Sequence, residues 1–278
     1  MRVAREGSGE VRIAPGPVEP DSGAAPVARF TPLGAMAATP SGVVLSIDQV
    51  ATPEQLAHIG KLASGLVNEG DRVGLGSGRA ALSFVRELGA RVADGLTVVG
   101  IPTSLATEKL ALELGIPLAN LDDVAQIDIA VDGADEVAPG MVLSKGGGGN
   151  LLREKITESI AKRLVIVVGE EKVVPRLGTN FPVFLEVIEF GRAAVTRALT
   201  ELGATVTQRM DDSGAPFRTD DGNPYLHVVL PQNLLEDPRA LDTQLRALPG
   251  VVETGIFVGM ATEVFIAKVD GSVEHRTA

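Results

Sequence analysis

Two patterns in the amino-acid sequence predict an α/β fold. Between Thr52 and Val168, short apolar runs alternate with segments whose apolar residues recur at helical spacing. Buried strands separated by helices are typical of a mainly parallel, Rossmann-like sheet. From Phe184 onward the order changes to β-α-β-β-α-β, which is the ferredoxin-like arrangement. We therefore predict a mainly parallel sheet domain with a smaller ferredoxin-like α+β domain inserted near the C-terminus.

The first domain is predicted to begin with a helix after Thr52. Thr52, Pro53 and Gln55 form a capping-box pattern with proline at the first helical position, and Gly70 supplies a stop signal. The strands predicted after this helix are 72–75, 96–101, 127–131, 141–144 and 164–168. The helices predicted between them are 79–88, 104–114 and 151–162.

The second domain is predicted at 179–249, between two parts of the first domain at 46–178 and 250–278. The elements predicted for the ferredoxin-like order are strand 184–188, helix 192–202, strands 204–210 and 225–230, helix 238–248 and strand 251–257. Residues 211–221 predict the turn between the middle strands, and Asp220 and Asp221 are expected in a solvated turn. An apolar tail at 263–269 is expected to return to the first sheet.

Composition limits the possible partners. The chain carries 25 basic and 36 acidic residues, a net charge of −11, and an acidic protein is repelled by the phosphate backbone of nucleic acid. Cysteine is absent, which excludes disulfides, thiol nucleophiles and cysteine-ligated zinc. No apolar run has the length of a membrane span, and residues 1–45, dense in Pro, Gly and Ala, predict a disordered extension. We expect a cytoplasmic protein that acts on a small molecule.

Three loops that follow predicted strands carry the residues of chemical interest, and open α/β sheets bind ligands at such positions. The first loop is the segment GLGSGR, residues 74–79. Its backbone N–H groups and the following helix N-terminus can attract a phosphate. Because the segment matches neither the dinucleotide fingerprint nor the Walker motif, a simple tight turn is an equal alternative.

The second loop is the segment DGADE, residues 132–136, directly after the strand predicted at 127–131. Its carboxylates suit proton transfer or contacts with sugar hydroxyls. The alternative, which an isolated segment of this kind favours, is a solvated acidic turn.

The third loop is the segment KGGGGN, residues 145–150, between a strand and a helix. Four consecutive glycines cost backbone entropy, so they indicate close approach of the backbone to a ligand or an unusual turn. Lys145 places a cation at the mouth of this loop. Glu154 follows in the first turn of the helix, where the dipole favours an ionised general base. The alternative for Glu154 is a glutamate that only complements the dipole.

Five segments occur in a fixed order along the chain: GLGSGRA, PTSLATEKLALELGI, DIAVDGADEV, KGGGGNLLREKI and GEEK. Together they resemble the type A ribose-5-phosphate isomerase family over roughly residues 50–270. The resemblance implies an enzyme without cofactor or metal that interconverts ribose 5-phosphate and ribulose 5-phosphate through an enediolate, in the non-oxidative pentose phosphate pathway. It also implies a homodimer or homotetramer.

The resemblance further implies roles for individual residues. Glu154 occupies the position of the proton acceptor, Asp132 and Asp135 match the acidic pair that assists ring opening, and Lys145 completes the catalytic set. The substrate-binding residues that it implies are Ser77, Gly78, Arg79, Ala80, Asp132, Gly133, Ala134, Asp135, Lys145, Gly146, Gly147, Gly148 and Lys172.

The chain departs from the family pattern at two places. The first loop keeps one hydroxyl, at Ser77, and loses two, so Arg79 either supplies a bidentate phosphate contact or alters which phosphosugar fits. Lys172 follows two glutamates instead of the usual Asp-x-Ser. The alternatives to the isomerase are a related phosphosugar enzyme on the same fold and a non-catalytic sugar-phosphate sensor. A DNA-binding regulator is disfavoured because residues 1–45 show neither a helix-turn-helix pattern nor a net basic charge.

Overall fold

The computed structural model describes residues 50–278, and the extension predicted at 1–45 lies outside them. The helices are α1 (Pro53–Ser64), α2 (Gly78–Ala93), α3 (Leu105–Glu113), α4 (Leu151–Ser159), α5 (Arg192–Glu201) and α6 (Pro238–Arg246). The strands are β1 (Arg72–Leu75), β2 (Val99–Pro102), β3 (Ile129–Asp132), β4 (Glu136–Ala138), β5 (Val142–Ser144), β6 (Leu164–Gly169), β7 (Val183–Val187), β8 (Thr205–Gln208), β9 (Tyr225–Val229), β10 (Val251–Thr254), β11 (Ile256–Phe257), β12 (Glu263–Ala267) and β13 (Val273–Thr277). None of the helices within residues 50–278 has the length and apolar character to cross a membrane.

A six-stranded sheet has the strand order β13-β12-β6-β3-β1-β2. Its neighbouring strands are parallel apart from β12 and β13, which are antiparallel. The predicted return of the C-terminal tail is confirmed, because β12 pairs with β6. Strand β13 was not predicted, since this edge strand has no fully buried residue and shows no apolar run.

Both faces of this sheet are buried. Along β6, Val165 and Val167 pack into one apolar cluster with α1 and α2, whereas Leu164, Ile166 and Val168 pack into a second cluster on the opposite face. A strand with two buried faces reads as a continuous apolar run, which is why 164–168 was predicted as a strand. The capping box predicted before α1 is also confirmed, because the Thr52 side chain accepts from the N–H of Gln55.

A second, four-stranded sheet has the order β10-β7-β9-β8, and all its neighbours are antiparallel. Helices α5 and α6 contribute Val195, Leu199, Leu241 and Leu245 to the same apolar cluster as the strand residues. In chain order these strands are arranged 4-1-3-2, with both helices packed into one core. The predicted ferredoxin-like arrangement is confirmed.

A third, antiparallel sheet of β11, β5 and β4 corrects two of the sequence predictions. Segment 141–144, expected in the parallel sheet, is β5 of this small sheet. The strand predicted at 251–257 divides at Gly255 into β10, which pairs with β7, and β11, which pairs with β5. Glycine is required at the division, because a Cβ at Gly255 would lie only 2.2 Å from the carbonyl oxygen of Lys145. The four-stranded sheet therefore extends past the boundary expected at 249, and the domain division itself stays a prediction.

Candidate active site

Lys145 is the centre of a buried cluster of charged side chains. Its Nζ lies 2.9 Å from Asp132 Oδ2, 3.1 Å from Glu158 Oε1 and 3.6 Å from Glu154 Oε2. It also donates a 2.7 Å hydrogen bond to the carbonyl oxygen of Gly133. The structure thus brings together Asp132, Lys145 and Glu154, as the sequence predicted, and adds Glu158.

Asp132 is positioned by the carboxyl ends of two neighbouring strands. It is the last residue of β3, and its Oδ1 accepts from the N–H of Ser77 at 2.9 Å and from its neighbour Gly133 at 2.6 Å. A Cβ at Gly76 would lie 2.3 Å from the Asp132 carboxyl carbon. Glycine is therefore required in the first loop so that the carboxylate fits against the backbone.

The glycine-rich loop wraps closely around other side chains. Gly146 has φ +115°, a conformation that favours glycine, and its carbonyl oxygen accepts a 2.5 Å hydrogen bond from the buried Tyr225 hydroxyl. The N–H of Gly147 donates to Asp135 Oδ2 at 2.7 Å, and Gly148 is exposed. The close approach predicted from four glycines is thus made partly to the protein itself.

Glu154 lies in the first turn of α4, which begins directly after the glycine-rich loop. Its side chain is 7% exposed, and burial raises the pKa of its carboxyl to about 8, although the nearby Lys145 ammonium opposes the rise. A carboxyl group with a pKa near neutrality is suited to take up and release a proton at physiological pH.

Burial by itself would lower the pKa of the Lys145 ammonium. The carboxylates of Asp132, Glu154 and Glu158 more than offset this effect, so the pKa of Lys145 is raised and the side chain is charged at neutral pH.

Within residues 50–278 no group of three or more His, Asp or Glu side chains is arranged to hold a metal ion.

Asp135 and Lys172 lie beside the cluster rather than inside it. Burial raises the pKa of the half-buried Asp135 carboxyl, whereas the charge of Lys172 and the Gly147 N–H oppose the rise. The Nζ of Lys172 lies 4.5 Å from the centre of the Phe181 ring, in a cation–π contact. Ala134, also half-buried, lies in the turn between Asp132 and Asp135.

The first loop ends at the N-terminus of α2. Ser77 is buried, and its Oγ lies 2.8 Å from Thr103 Oγ1 instead of capping α2. Gly78 and Arg79 are exposed, and Ala80 is half-buried. The predicted loop residues therefore lie at the edge of the six-stranded sheet that also ends in Asp132.

Sequence reasoning missed three residues at this site. Glu158 is four residues after Glu154 on one helix face, and that spacing is the signal that could have found it. Tyr225 and Arg209 come from the ferredoxin-like part, and Arg209 donates to the carbonyl oxygen of Gly147 at 3.1 Å.

Asp220 and Asp221 lie in an exposed turn, as expected, but both also make contacts that the sequence did not predict. Asp221 pairs with Arg153 of α4 at 2.7 Å, and Asp220 Oδ2 accepts from the N–H of Leu105 at 2.8 Å. These contacts tie the ferredoxin-like part to the helices beside the glycine-rich loop, and no local sequence pattern predicts them.

The family model described as ribose 5-phosphate isomerase A (phosphoriboisomerase A) matches residues 99–271. The chain belongs to this family. Ribose-5-phosphate isomerase A of Chloroflexus aurantiacus is 44% identical over 233 residues, which cover 83% of this chain and 96% of that relative. The Bacillus mycoides relative of the same description is 40% identical, over 80% of this chain and 98% of its own.

Solved structures of the family superpose on most of the chain. Ribose 5-phosphate isomerase A from Methanocaldococcus jannaschii matches with a TM-score of 0.78 and 38% identity, over 82% of this chain and 100% of that one. A D-ribose-5-phosphate isomerase in complex with phospho-erythronic acid matches with a TM-score of 0.79 and 35% identity, over the same shares. Membership confirms the predicted fold class and activity: the protein is an aldose–ketose isomerase of ribose 5-phosphate and ribulose 5-phosphate.

Proposed function

We propose that Glu154 is the base that moves the proton between the two reacting carbons, and that Lys145 stabilises the enediolate formed between the two transfers. The position of Glu154 carries this proposal. Its buried carboxyl lies 3.6 Å from the Lys145 ammonium, at the start of α4 and directly after the glycine-rich loop. A base and a cation are thus held side by side by one strand end and one helix.

The raised pKa of Glu154 supports its role as a base. General acid–base catalysis is most efficient when the pKa of the catalytic group lies near the operating pH, and burial brings the pKa of Glu154 to about 8. Once protonated, the same carboxyl is a neutral acid that can return the proton to the neighbouring carbon. One residue therefore serves both half-reactions.

The enediolate places negative charge on oxygen, which a fixed cation stabilises without reorganisation. Lys145 fits this role because Asp132 and the Gly133 carbonyl oxygen hold its ammonium at 2.9 and 2.7 Å. Ring opening requires an acid and a base near the sugar. Asp132 and Asp135 are the candidates, and the raised pKa of Asp135 favours it as the group that supplies a proton.

The phosphate is proposed to bind at the N-terminus of α2. Gly78, Arg79 and Ala80 are its first residues, and the Ser77 hydroxyl is paired with Thr103 rather than with these N–H groups. A helix N-terminus attracts phosphate, and the exposed Arg79 is positioned to supply the contacts of the two missing hydroxyls. The solved relative in complex with phospho-erythronic acid supports a phosphorylated ligand on this fold.

In this proposal the acidic and glycine-rich loops also contact the substrate, through Gly133, Ala134, Gly146, Gly147 and Gly148. Lys172 adds a cation beside Asp135. A homodimer or homotetramer in the cytoplasm also belongs to the proposal. A sugar-phosphate sensor would need no base, so the buried pair of Glu154 and Lys145 favours the enzyme.

The test is Glu154→Gln, assayed with ribose 5-phosphate in D₂O, with NMR following ketose formation and deuterium at the first carbon of the ketose and at the second carbon of the aldose re-formed from it. General base catalysis contributes about 10²- to 10⁴-fold, so we expect a loss of kcat in that range with little change in KM. Glu113→Gln, at an exposed position at the end of α3, is the matched control. Turnover and deuterium uptake by Glu154→Gln at the wild-type rate would exclude Glu154 as the base.

A further inference from the structure

Glu158 is a buried carboxyl for which the proposed mechanism has no use. Its side chain is 0% exposed, and its Oε1 lies 3.1 Å from Lys145 Nζ. The charged groups that face it are Lys145 after β5, Asp132 at the end of β3 and Glu154 on its own helix. Three carboxyl groups therefore share one ammonium inside the protein.

The charges of this cluster do not balance if every carboxyl is ionised. Three carboxylates and one ammonium leave a net charge of −2 in a site from which water is largely excluded, and burial of uncompensated charge is costly. A carboxyl group in that position holds a proton instead. The question is which of the three groups holds it.

Hydrogen bonding distinguishes them. Asp132 Oδ1 accepts from two backbone N–H groups, those of Ser77 and Gly133, so this oxygen has its hydrogen-bond partners. Within residues 50–278 no hydrogen bond reaches Asp132 Oδ2, Glu154 Oε2 or either carboxyl oxygen of Glu158, so Glu158 alone among the three has both oxygens buried without a hydrogen bond. Buried acceptor oxygens without a hydrogen bond are unfavourable, whereas a proton on Glu158 makes that carboxyl a donor to a neighbouring acceptor.

We propose that Glu158 is a positioning residue that stays protonated and donates a hydrogen bond to Asp132, which keeps Asp132 and the Lys145 ammonium in place beside Glu154. Burial raises the pKa of the Glu158 carboxyl well above its ordinary value, and the charges of Asp132 and Glu154 add to the rise while Lys145 opposes it. The functional consequence rests on Glu154 as the base, because Glu158 keeps the ammonium and Asp132 in place beside it.

The proton is tested directly by infrared spectroscopy of the whole protein at pH 7. A protonated carboxyl shows a carbonyl stretch that a carboxylate lacks. We expect Glu158→Gln to lose such a band, with Glu154→Gln measured in parallel to assign the band of Glu154. The matched control is Glu253→Gln. Glu253 is a buried residue of β10, and its carboxyl lies 3.0 Å from Lys155, which is on the same helix as Glu158. The Glu253→Gln variant is expected to lose a carboxylate band.

The positioning role is tested by rescue. Glu158→Leu removes the donor, and loss of one hydrogen bond to a charged group predicts a fall in kcat of about tenfold to a hundredfold. Glu158→Gln keeps a neutral donor and is expected to recover most of the kcat lost in the Leu variant. The midpoint of the acid limb of its kcat/KM pH profile is expected to return towards the wild-type value. If Glu158 were merely structural, its replacement would change the free energy of unfolding, and the Gln variant would not recover the pH profile in this way.

Two results would overturn the proposal: a carboxylate band lost on Glu158→Gln, or a Gln variant as impaired as the Leu variant with the same pH profile. The infrared measurement needs no turnover and no folded Leu variant. Its outcome is therefore independent of whether Glu154 proves to be the base.

Discussion

Replacement of Lys145 by Met is the sharpest test of the electrostatic argument. Met keeps an apolar stem of similar length but removes the one ammonium shared by Asp132, Glu154 and Glu158. The buried carboxylates must then take up a proton or remain charged without their partner. Removal of one partner from a buried ion pair typically costs about 3–5 kcal/mol near neutral pH.

The loss depends on pH, and its sign follows from linkage. The folded variant binds more protons than the folded wild-type protein, while the unfolded chains bind the same number at their carboxyls, so the variant loses stability as pH rises. Each additional proton adds about 1.4 kcal/mol per pH unit above the ordinary carboxyl range. One proton therefore adds about 4 kcal/mol to the loss between about pH 5 and pH 8.

The measurement is urea unfolding of both proteins at pH 5 and pH 8, followed by circular dichroism because the chain has no Trp and one Tyr. Lys162→Met is the control: its ammonium pairs with Asp128 at 2.7 Å but is 54% exposed, so a loss within about 1 kcal/mol is expected at both pH values. Equal losses for Lys145→Met at the two pH values would refute the reasoning and would assign the effect to packing of the lysine stem.

Two further substitutions test the loops. Gly76→Ala places a Cβ 2.3 Å from the Asp132 carboxyl carbon, and such a displacement is expected to lower kcat about 10²-fold, whereas Gly65→Ala at the end of α1, where φ is −62°, should retain wild-type kcat. Tyr225→Phe removes one of the two donors to the buried carbonyl oxygen of Gly146, the other being the Gly149 N–H, and is expected to lower the free energy of unfolding by about 0.5–1.5 kcal/mol in urea titrations. Wild-type kcat in the first variant, or unchanged stability in the second, would contradict these assignments.

Local patterns were sufficient for most of the fold. The apolar run of β6 and the capping box of α1 depend on residues close together in the chain, and both are present as predicted. The missed strands are short or lie at an edge: β4 has three residues, and β13 is an edge strand with no fully buried residue. Neither carries an apolar period long enough to detect.

The candidate site was predictable only in part. Asp132 and Lys145 were found because each stands beside a glycine in a loop at the end of a strand. Glu154 was found because it lies in the helical turn that follows such a loop. Glu158 and Tyr225 were missed because a buried glutamate within a helix and a tyrosine within a strand look like ordinary members of those elements.

The sequence by itself determined the order of the elements and the three loops, since hydrophobic periodicity and glycine placement are local properties of the chain. Only the tertiary structure decided that Tyr225 supports Gly146 from 79 residues away, that the strand at 251–257 divides at Gly255 against Lys145, and that one ammonium is shared by three carboxyls. Those contacts join distant segments, and their energies depend on burial, which no local pattern specifies.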